Sequence, residues 1–156
     1  MSDATPVFST CEYRTLTCVL DTIIPPSDDG KFPGAGAIGL ADAIVAALQH
    51  TPALQPVFIQ GLAAIEDRSR KQTSEGFVGL SPAAKVEMLH EIALAEQGFF
   101  ALLLFHTYAG YYQNGRVLEG LGLEPRPPHP KGYEMPPPDL TLLEPVRRRG
   151  KLYRSG

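Results

Sequence analysis

The sequence has 156 residues, with 14 Lys and Arg against 17 Asp and Glu, and its hydrophobic fraction is 44%. This length and composition are typical of one globular domain with a buried core, and they exclude wholesale disorder. The net charge of −3 argues against a protein that coats nucleic acid. Two cysteines are too few for a disulfide scaffold or a four-thiolate metal site.

Charge and proline content divide the chain near residue 124. Residues 1–123 carry 7 basic and 13 acidic side chains. Residues 124–156 carry 7 basic and 4 acidic side chains, together with 8 of the 15 prolines. So many prolines favour extended or polyproline II conformation. We therefore predict a helical body at 1–123 and an extended, proline-rich, basic tail at 124–156.

The N-terminal segment MSDATPVFSTCEYR has neither the basic region nor the apolar run of an export signal. The most apolar stretch, residues 98–108, is about half the length that a bilayer requires, and it is typical of a buried core helix. We therefore expect no transmembrane segment and a cytoplasmic location. A periplasmic location is expected instead if a leader was trimmed or a partner is exported.

Helix signals begin near the N-terminus. A hydroxyl cap at Ser9 or Thr10 opens a first helix, which ends before Pro25 because proline cannot continue it. Four glycines and one proline in residues 27–39 predict a loop. A second helix is predicted at 40–49.

Four more helices are predicted further along the body. Thr51 and Ser81 each precede a proline, which is a favoured helix start, and Gly98 marks a break before the next helix. The predicted starts are Thr51, Ser81, Phe99 and Asn114. Apolar residues recur at helical spacing and no long alternating run appears. The fold class predicted is all-α, a compact bundle of five to six helices with the extended tail.

One histidine lies in a spacing that metal sites use. His90 follows Glu87 as E-x-x-H, which occurs in di-iron helix bundles. Such sites need a second motif and two further glutamates, for which Glu66 and Glu119 are the loose candidates. The simpler interpretation is a surface glutamate and a hydrogen-bonded histidine on one helix face. A stand-alone metalloenzyme using Glu87 and His90 stays open as an alternative.

Three glycines match a nucleotide-binding pattern. Gly34, Gly36 and Gly39 have the spacing G-x-G-x-x-G, but that motif requires a preceding strand within a βαβ unit. A helix and two prolines precede it here, so dinucleotide binding is not expected.

The tail contains a basic cluster, Arg147–Arg149. Such clusters can bind RNA or an anionic membrane surface. The acidic body would repel a phosphate backbone, so we expect no nucleic-acid partner. A regulatory module acting through this cluster is a further alternative.

Tyr108, Tyr111 and Tyr112 lie together at the end of the fifth predicted helix. Tyrosine is enriched at protein interfaces because it is both apolar and able to form a hydrogen bond. The alternative is that this helix end packs on the core of the body itself.

Two stretches of sequence carry a family resemblance. Residues 20–48 read LDTIIPPSDDGKFPGAGAIGLADAIVAAL, an apolar helix ending in D-T-I-I-P, an acidic loop, a P-G-A element and a helix opening near Asp42. Residues 99–123 read FFALLLFHTYAGYYQNGRVLEGLGL, a late helix, a T-x-x-G-Y-Y turn and a short helix with a glycine corner. In this order they resemble the gluconate 2-dehydrogenase subunit 3 family.

The resemblance implies an accessory role. Such proteins are small subunits of sugar or polyol dehydrogenase complexes. The large partner is a flavoprotein of the glucose–methanol–choline type that holds the FAD and the catalytic histidine, and some complexes add a cytochrome c subunit. It follows that this chain itself carries no catalytic residue, cofactor or metal, and stabilises the large subunit.

The tail has too many apolar side chains for a fully solvated segment, and its arginines suit partner carboxylates. We therefore expect residues 124–154 to wrap the flavoprotein, so that deleting them abolishes co-purification. The predicted partner contacts are Tyr111, Tyr112, Tyr133, Leu142, Leu143, Arg147, Arg148, Arg149 and Tyr153.

Overall fold

The computed structural model describes residues 6–125 and 139–149, except for the side chain of Leu142. The chain divides into two units, Met1–Arg126 and Pro127–Gly156. Helices are the only regular elements of the described residues, and no strand occurs among them. The predicted all-α fold class is confirmed.

Six α-helices build the first unit. They are α1 (Thr10–Ile23), α2 (Leu40–His50), α3 (Gln55–Ser69), α4 (Pro82–Ala95), α5 (Gln97–Gln113) and α6 (Gly115–Gly120). Short 3₁₀ helices at Pro52–Leu54 and Gly76–Gly79 precede α3 and α4 respectively. In the described part of the chain, each helix is too short or too polar to span a bilayer.

The first helix begins and ends where the sequence predicts. The Ser9 hydroxyl accepts a hydrogen bond from the Glu12 N–H at 3.3 Å, and the Glu12 carboxylate accepts one from the Ser9 N–H at 2.7 Å. This reciprocal pair is a capping box. Ile24 leaves the helical conformation because Pro25 follows it, and proline restricts the preceding residue to extended backbone.

Two later helix starts are also confirmed. The side chains of Ser81 and Asn114 accept hydrogen bonds from the first turns of α4 and α6. The break between α4 and α5 lies at Glu96 rather than at Gly98, so α5 begins at Gln97. Glycine lowers helix stability without forcing a break, and Gly98 stays inside the helix.

The core lies between α1 to α6, with α5 in contact with α2, α3, α4 and α6. Gly61 of α3 lets Phe99 of α5 approach closely, because a Cβ on Gly61 would lie 2.2 Å from the Phe99 ring. Phe58 meets the same ring edge-on, with centroids 5.6 Å apart. The largest fully buried side chains are Phe58, Phe77, Leu16, Leu20, Ile44, Leu48, Leu62, Ile65, Ile92, Leu103, Val19 and Val117.

The second unit is described only at 139–149. Asp139 caps a 3₁₀ helix at Leu140–Leu143, and the short α7 (Glu144–Arg148) follows directly. The sequence predicts an extended tail, and these two helical turns depart from that prediction. They lie just after the proline-rich run, where Pro145 occupies the first turn of α7 and is tolerated there.

Candidate functional site

The loop between α1 and α2 is anchored by one carboxylate. Asp21 of α1 accepts a hydrogen bond from the Gly36 N–H at 2.8 Å. A Cβ on Gly34 would lie 2.4 Å from Asp21 Oδ1, and a Cβ on Gly36 would lie 2.6 Å from Asp21 Oδ2. The glycines therefore leave room for a carboxylate. A phosphate in the same place would be repelled by the Asp21 carboxylate.

Helix α5 also contacts that loop and holds it by a hydrogen bond. The Tyr111 hydroxyl donates to the Pro33 carbonyl at 2.8 Å, and burial raises the pKa of Tyr111, so that the phenol stays protonated. One residue earlier, Gly110 makes room for Leu40 at the start of α2, since a Cβ on Gly110 would lie 2.2 Å from Leu40 Cδ1. The D-T-I-I-P, P-G-A and G-Y-Y elements therefore meet inside the body.

A buried glutamate joins α1, α3 and the Gly76–Gly79 turn. Glu66 accepts a hydrogen bond from the Thr15 hydroxyl and forms an ion pair with Arg70 at 3.4 Å. The hydrogen bond to Glu66 raises the pKa of Arg70 still further, which keeps the guanidinium charged. Gly76 has φ = +67°, and a Cβ there would lie 2.1 Å from Glu66 Oε2. Glu66 thus connects α1, α3 and the Gly76–Gly79 turn.

The outer face of α5 is aromatic. Phe105, Tyr108 and Tyr112 are 65%, 45% and 53% exposed and lie three and four residues apart on one side of the helix. The Tyr108 and Tyr112 rings stack with centroids 6.4 Å apart. Over its 17 residues α5 carries no charged side chain. We call Phe105, Tyr108 and Tyr112 the aromatic ridge.

A shallow groove of about 170 Å³ runs beside the aromatic ridge, between α2 and α5. His106 lines it and also contacts Phe58 and Phe105 through ring edges at 5.8 Å and 5.4 Å. Burial lowers the pKa of His106, which favours the neutral imidazole. The other lining residues are Leu40, Ala43, Ile44, Ala109, Gly110 and Gln113.

Comparison with known protein families places the body of the chain in a family. The model of the gluconate 2-dehydrogenase subunit 3 family matches residues 10–119, which run from the start of α1 into α6. The chain belongs to the gluconate 2-dehydrogenase subunit 3 family. Comparisons with curated proteins and with solved structures found no match.

Membership of the gluconate 2-dehydrogenase subunit 3 family confirms the resemblance drawn from the two sequence stretches. Within the structure, several of the residues that carry that resemblance make contacts between elements of the body. Asp21, Gly34 and Gly36 build the loop, and Tyr111 and Gly110 hold it against α5 and α2. These family residues therefore specify the shape of the body.

The tyrosines predicted as partner contacts separate in the structure. Tyr111 is only 4% exposed and its hydroxyl is used inside the body. For Tyr111 this favours the alternative reading, a helix end packed on its own core. Tyr112 is exposed and belongs to the aromatic ridge. Its contact with a partner remains a prediction.

The predicted contacts of the tail are partly described. Arg147, Arg148 and Arg149 are exposed, and Arg147 forms an ion pair with Glu144 at 3.4 Å. Leu143 is exposed as well. Three predicted contacts lie outside the described residues or side chains: Tyr133, Leu142 and Tyr153.

The residues considered for metal binding do not come together. Glu87 and His90 are exposed on α4, Glu119 is exposed on α6, and Glu66 is buried with Thr15 and Arg70. Among residues 6–125 and 139–149, no three His, Cys, Asp or Glu side chains are grouped as metal ligands would be.

Sequence reasoning missed Phe105 as a surface residue. It placed this residue in a stretch typical of a buried core helix, and α5 is indeed buried along Phe99, Leu103 and Thr107. The opposite face carries the aromatic ridge and is exposed. The available signal was the lack of any charged residue in α5, because a helix that is apolar all round usually has a neighbour on every side.

Proposed function

We propose that this chain is the non-catalytic small subunit of a sugar- or polyol-oxidising dehydrogenase complex, and that it stabilises the FAD-containing catalytic subunit. Membership of the gluconate 2-dehydrogenase subunit 3 family indicates an accessory subunit of a dehydrogenase complex. This membership is the observation that carries the proposal. The family match covers nearly all of α1 to α6, so it extends over the whole helical body.

The surface of the body supports an assembly role. Helix α5 has no charged residues and exposes the three aromatic rings of the ridge. Aromatic side chains are enriched at the cores of protein interfaces. Binding a partner would remove these rings from water, which is favourable in proportion to the apolar area buried.

The proposal assigns substrate oxidation to the catalytic subunit and assembly contacts to the present chain. The catalytic subunit, a flavoprotein of the glucose–methanol–choline type, holds the FAD and oxidises the substrate hydroxyl. The present chain binds no cofactor and contributes contacts only. In complexes that include a cytochrome c subunit, electrons pass from the flavin to that subunit.

Co-expression tests this proposal. The tagged chain is produced together with the product of the neighbouring reading frame in its source genome, and it is then purified through the tag. We expect the large protein to co-purify and to bring visible flavin absorption with it. A colourless chain that elutes alone would contradict the proposal.

A second measurement addresses stabilisation. The catalytic subunit is expressed with and without the small chain, and its soluble yield and thermal midpoint are compared. We expect both to rise in the presence of the chain, because a ligand that binds only the folded state stabilises that state. Equal yields and equal midpoints would contradict a stabilising role.

A further inference from the structure

The family match and the tail occupy different parts of the chain. The match covers residues 10–119, whereas the second unit begins at Pro127. A property that comes with family membership, such as assembly into a dehydrogenase complex, must therefore have a surface within α1 to α6. The aromatic ridge lies inside the matched range, and the basic cluster Arg147–Arg149 lies beyond it.

We propose that the aromatic ridge, Phe105, Tyr108 and Tyr112, is the surface of the body that docks the catalytic subunit of the dehydrogenase. The inference rests on the proposed function and adds the site and its chemistry. The ridge fits an apolar, uncharged groove on the catalytic subunit, with hydrogen-bond acceptors at the groove edge for the two tyrosine hydroxyls.

Burial favours this contact for two reasons. Complete burial of an aromatic side chain removes roughly 150–250 Å² from water, and docking would remove the part of each ridge ring that is still exposed, 65%, 45% and 53% for Phe105, Tyr108 and Tyr112. Tyrosine is also enriched among residues that dominate binding energy. No charge must be desolvated along α5, since none of its 17 residues is charged.

The aromatic ridge is also held in place before binding. The inner face of the same helix is buried through Phe99, Leu103 and Tyr111, and Tyr111 is hydrogen-bonded to the Pro33 carbonyl. Tyr112 rests edge-on against the Tyr111 ring, with centroids 5.5 Å apart. A surface fixed in this way loses little conformational entropy on binding, which strengthens association.

The negative charge of the body disfavours a second copy of this chain as the partner at the aromatic ridge. Residues 1–123 carry 13 acidic against 7 basic side chains, so two bodies repel each other at long range. This repulsion disfavours a second copy as the occupant, and family membership indicates the class of partner instead, a subunit of a dehydrogenase complex.

The experiment uses the full chain and the co-expressed catalytic subunit. One variant combines Phe105→Glu, Tyr108→Glu and Tyr112→Glu. Its control combines Leu94→Glu, Val86→Glu and Ile59→Glu, which replace apolar residues that are 78%, 44% and 37% exposed on α4 and α3. Circular dichroism and thermal midpoints establish that both variants fold, and binding of the purified catalytic subunit is then measured.

We expect the ridge variant to bind at least a hundredfold more weakly than the wild type, because several central aromatic residues are lost together. The control variant should stay within about threefold of the wild type, as peripheral substitutions do. Wild-type affinity in the ridge variant would overturn the inference while leaving the proposed function standing. Equal losses in both variants would overturn it as well.

Two outcomes concern the choice of occupant. If the wild-type chain captures no flavoprotein at all, the proposed function fails, and the docking site fails with it. If the wild-type chain alone is a dimer by analytical ultracentrifugation and the ridge variant is a monomer, the occupant is a second copy and the inference is wrong.

Discussion

At the scale of single residues, Glu66 is a buried charged group that contacts several elements of the body. Its carboxylate is buried and accepts a hydrogen bond from the Thr15 hydroxyl. Buried polar groups that lose a partner cost free energy because water cannot replace it. The stability of the body therefore depends on a hydroxyl at position 15, although valine would fill the same space.

We predict that Thr15→Val lowers the free energy of unfolding by about 1–3 kcal/mol. Thr17→Val is the control on the same helix, because the Thr17 hydroxyl donates only to the Tyr13 carbonyl within α1. That variant should change stability by about 0.5 kcal/mol or less. Urea unfolding followed by circular dichroism measures both, and equal losses would contradict the role assigned to Glu66.

His106 makes stability depend on pH. Burial lowers its pKa from the usual value of about 6.5. As the pH falls through about 6.5, the unfolded chain takes up a proton that the folded chain resists, so this histidine contributes a loss of stability on acidification. Above that pH both states are neutral and the contribution vanishes.

We predict that His106→Gln removes this part of the acid destabilisation. The urea midpoint is measured from about pH 8 down to about pH 5, and the variant should show a shallower decline below about pH 6.5. His90→Gln, at an exposed position of α4, should keep the wild-type decline. An unchanged decline in the His106 variant would assign the acid sensitivity to other groups.

At the scale of elements, helix boundaries were predictable wherever a side chain sets them. Ser9, Ser81 and Asn114 were predicted as caps, and each accepts a hydrogen bond from its own first turn. The turn at Gly76–Gly79 was not predicted. Its left-handed Gly76 makes room for the Glu66 side chain of α3, and this contact between two elements leaves no periodic pattern in the sequence.

The loop at 27–39 depends on space as much as on hydrogen bonds. A Cβ on Gly36 would lie 2.5 Å from the Thr17 carbonyl oxygen, which belongs to helix backbone and cannot move away. We predict that Gly36→Ala lowers stability by about 1–3 kcal/mol, the usual cost of overpacking.

Gly98→Ala is the matched control. No atom lies within 4 Å of the position of its Cβ, and Gly98 is inside α5. Alanine should raise stability by up to about 1 kcal/mol, because it is the better helix former. Urea unfolding measures both variants, and a Gly36→Ala chain as stable as the wild type would contradict the anchoring of the loop by Asp21.

At the scale of the whole molecule, the complex would hold this chain at two places. The aromatic ridge belongs to the first unit, and the exposed arginines of α7 and Arg149 belong to the second. Two linked contacts bind more tightly than either alone, because the second forms at a high effective concentration. Under the proposal, the tail would strengthen the contact that the aromatic ridge makes.

We predict that Arg147→Glu, Arg148→Glu and Arg149→Glu together weaken binding of the catalytic subunit by roughly ten- to a hundredfold at low salt, as expected for up to three exposed ion pairs. The effect should shrink as salt is added. Reversing Arg14, Lys71 and Arg116 changes the net charge equally on the body and should have a smaller effect. Equal effects would indicate general charge repulsion.

The candidate site was less predictable than the fold. An all-α body follows from caps, prolines and helical spacing, which are local. Whether a given apolar residue is buried depends on which helices pack together, and no local pattern reports that. Tyr111 and Tyr112 look alike in sequence, yet one lies in the core and the other at the surface. Phe105 lies in the same apolar run as buried Leu103.

Tyr111 and Tyr112 are adjacent in sequence, but mutations of the two residues should have different effects in the cell. Substituting Tyr111 removes a buried ring and its hydrogen bond to Pro33, so the lesion acts on folding. Substituting Tyr112 leaves the core intact, so under the proposal the lesion would act on recognition. We then expect a screen for mutants that lose dehydrogenase activity to recover both, one codon apart. The amount of soluble small chain in each mutant would then sort them, with Tyr111 alleles depleted and Tyr112 alleles at normal abundance.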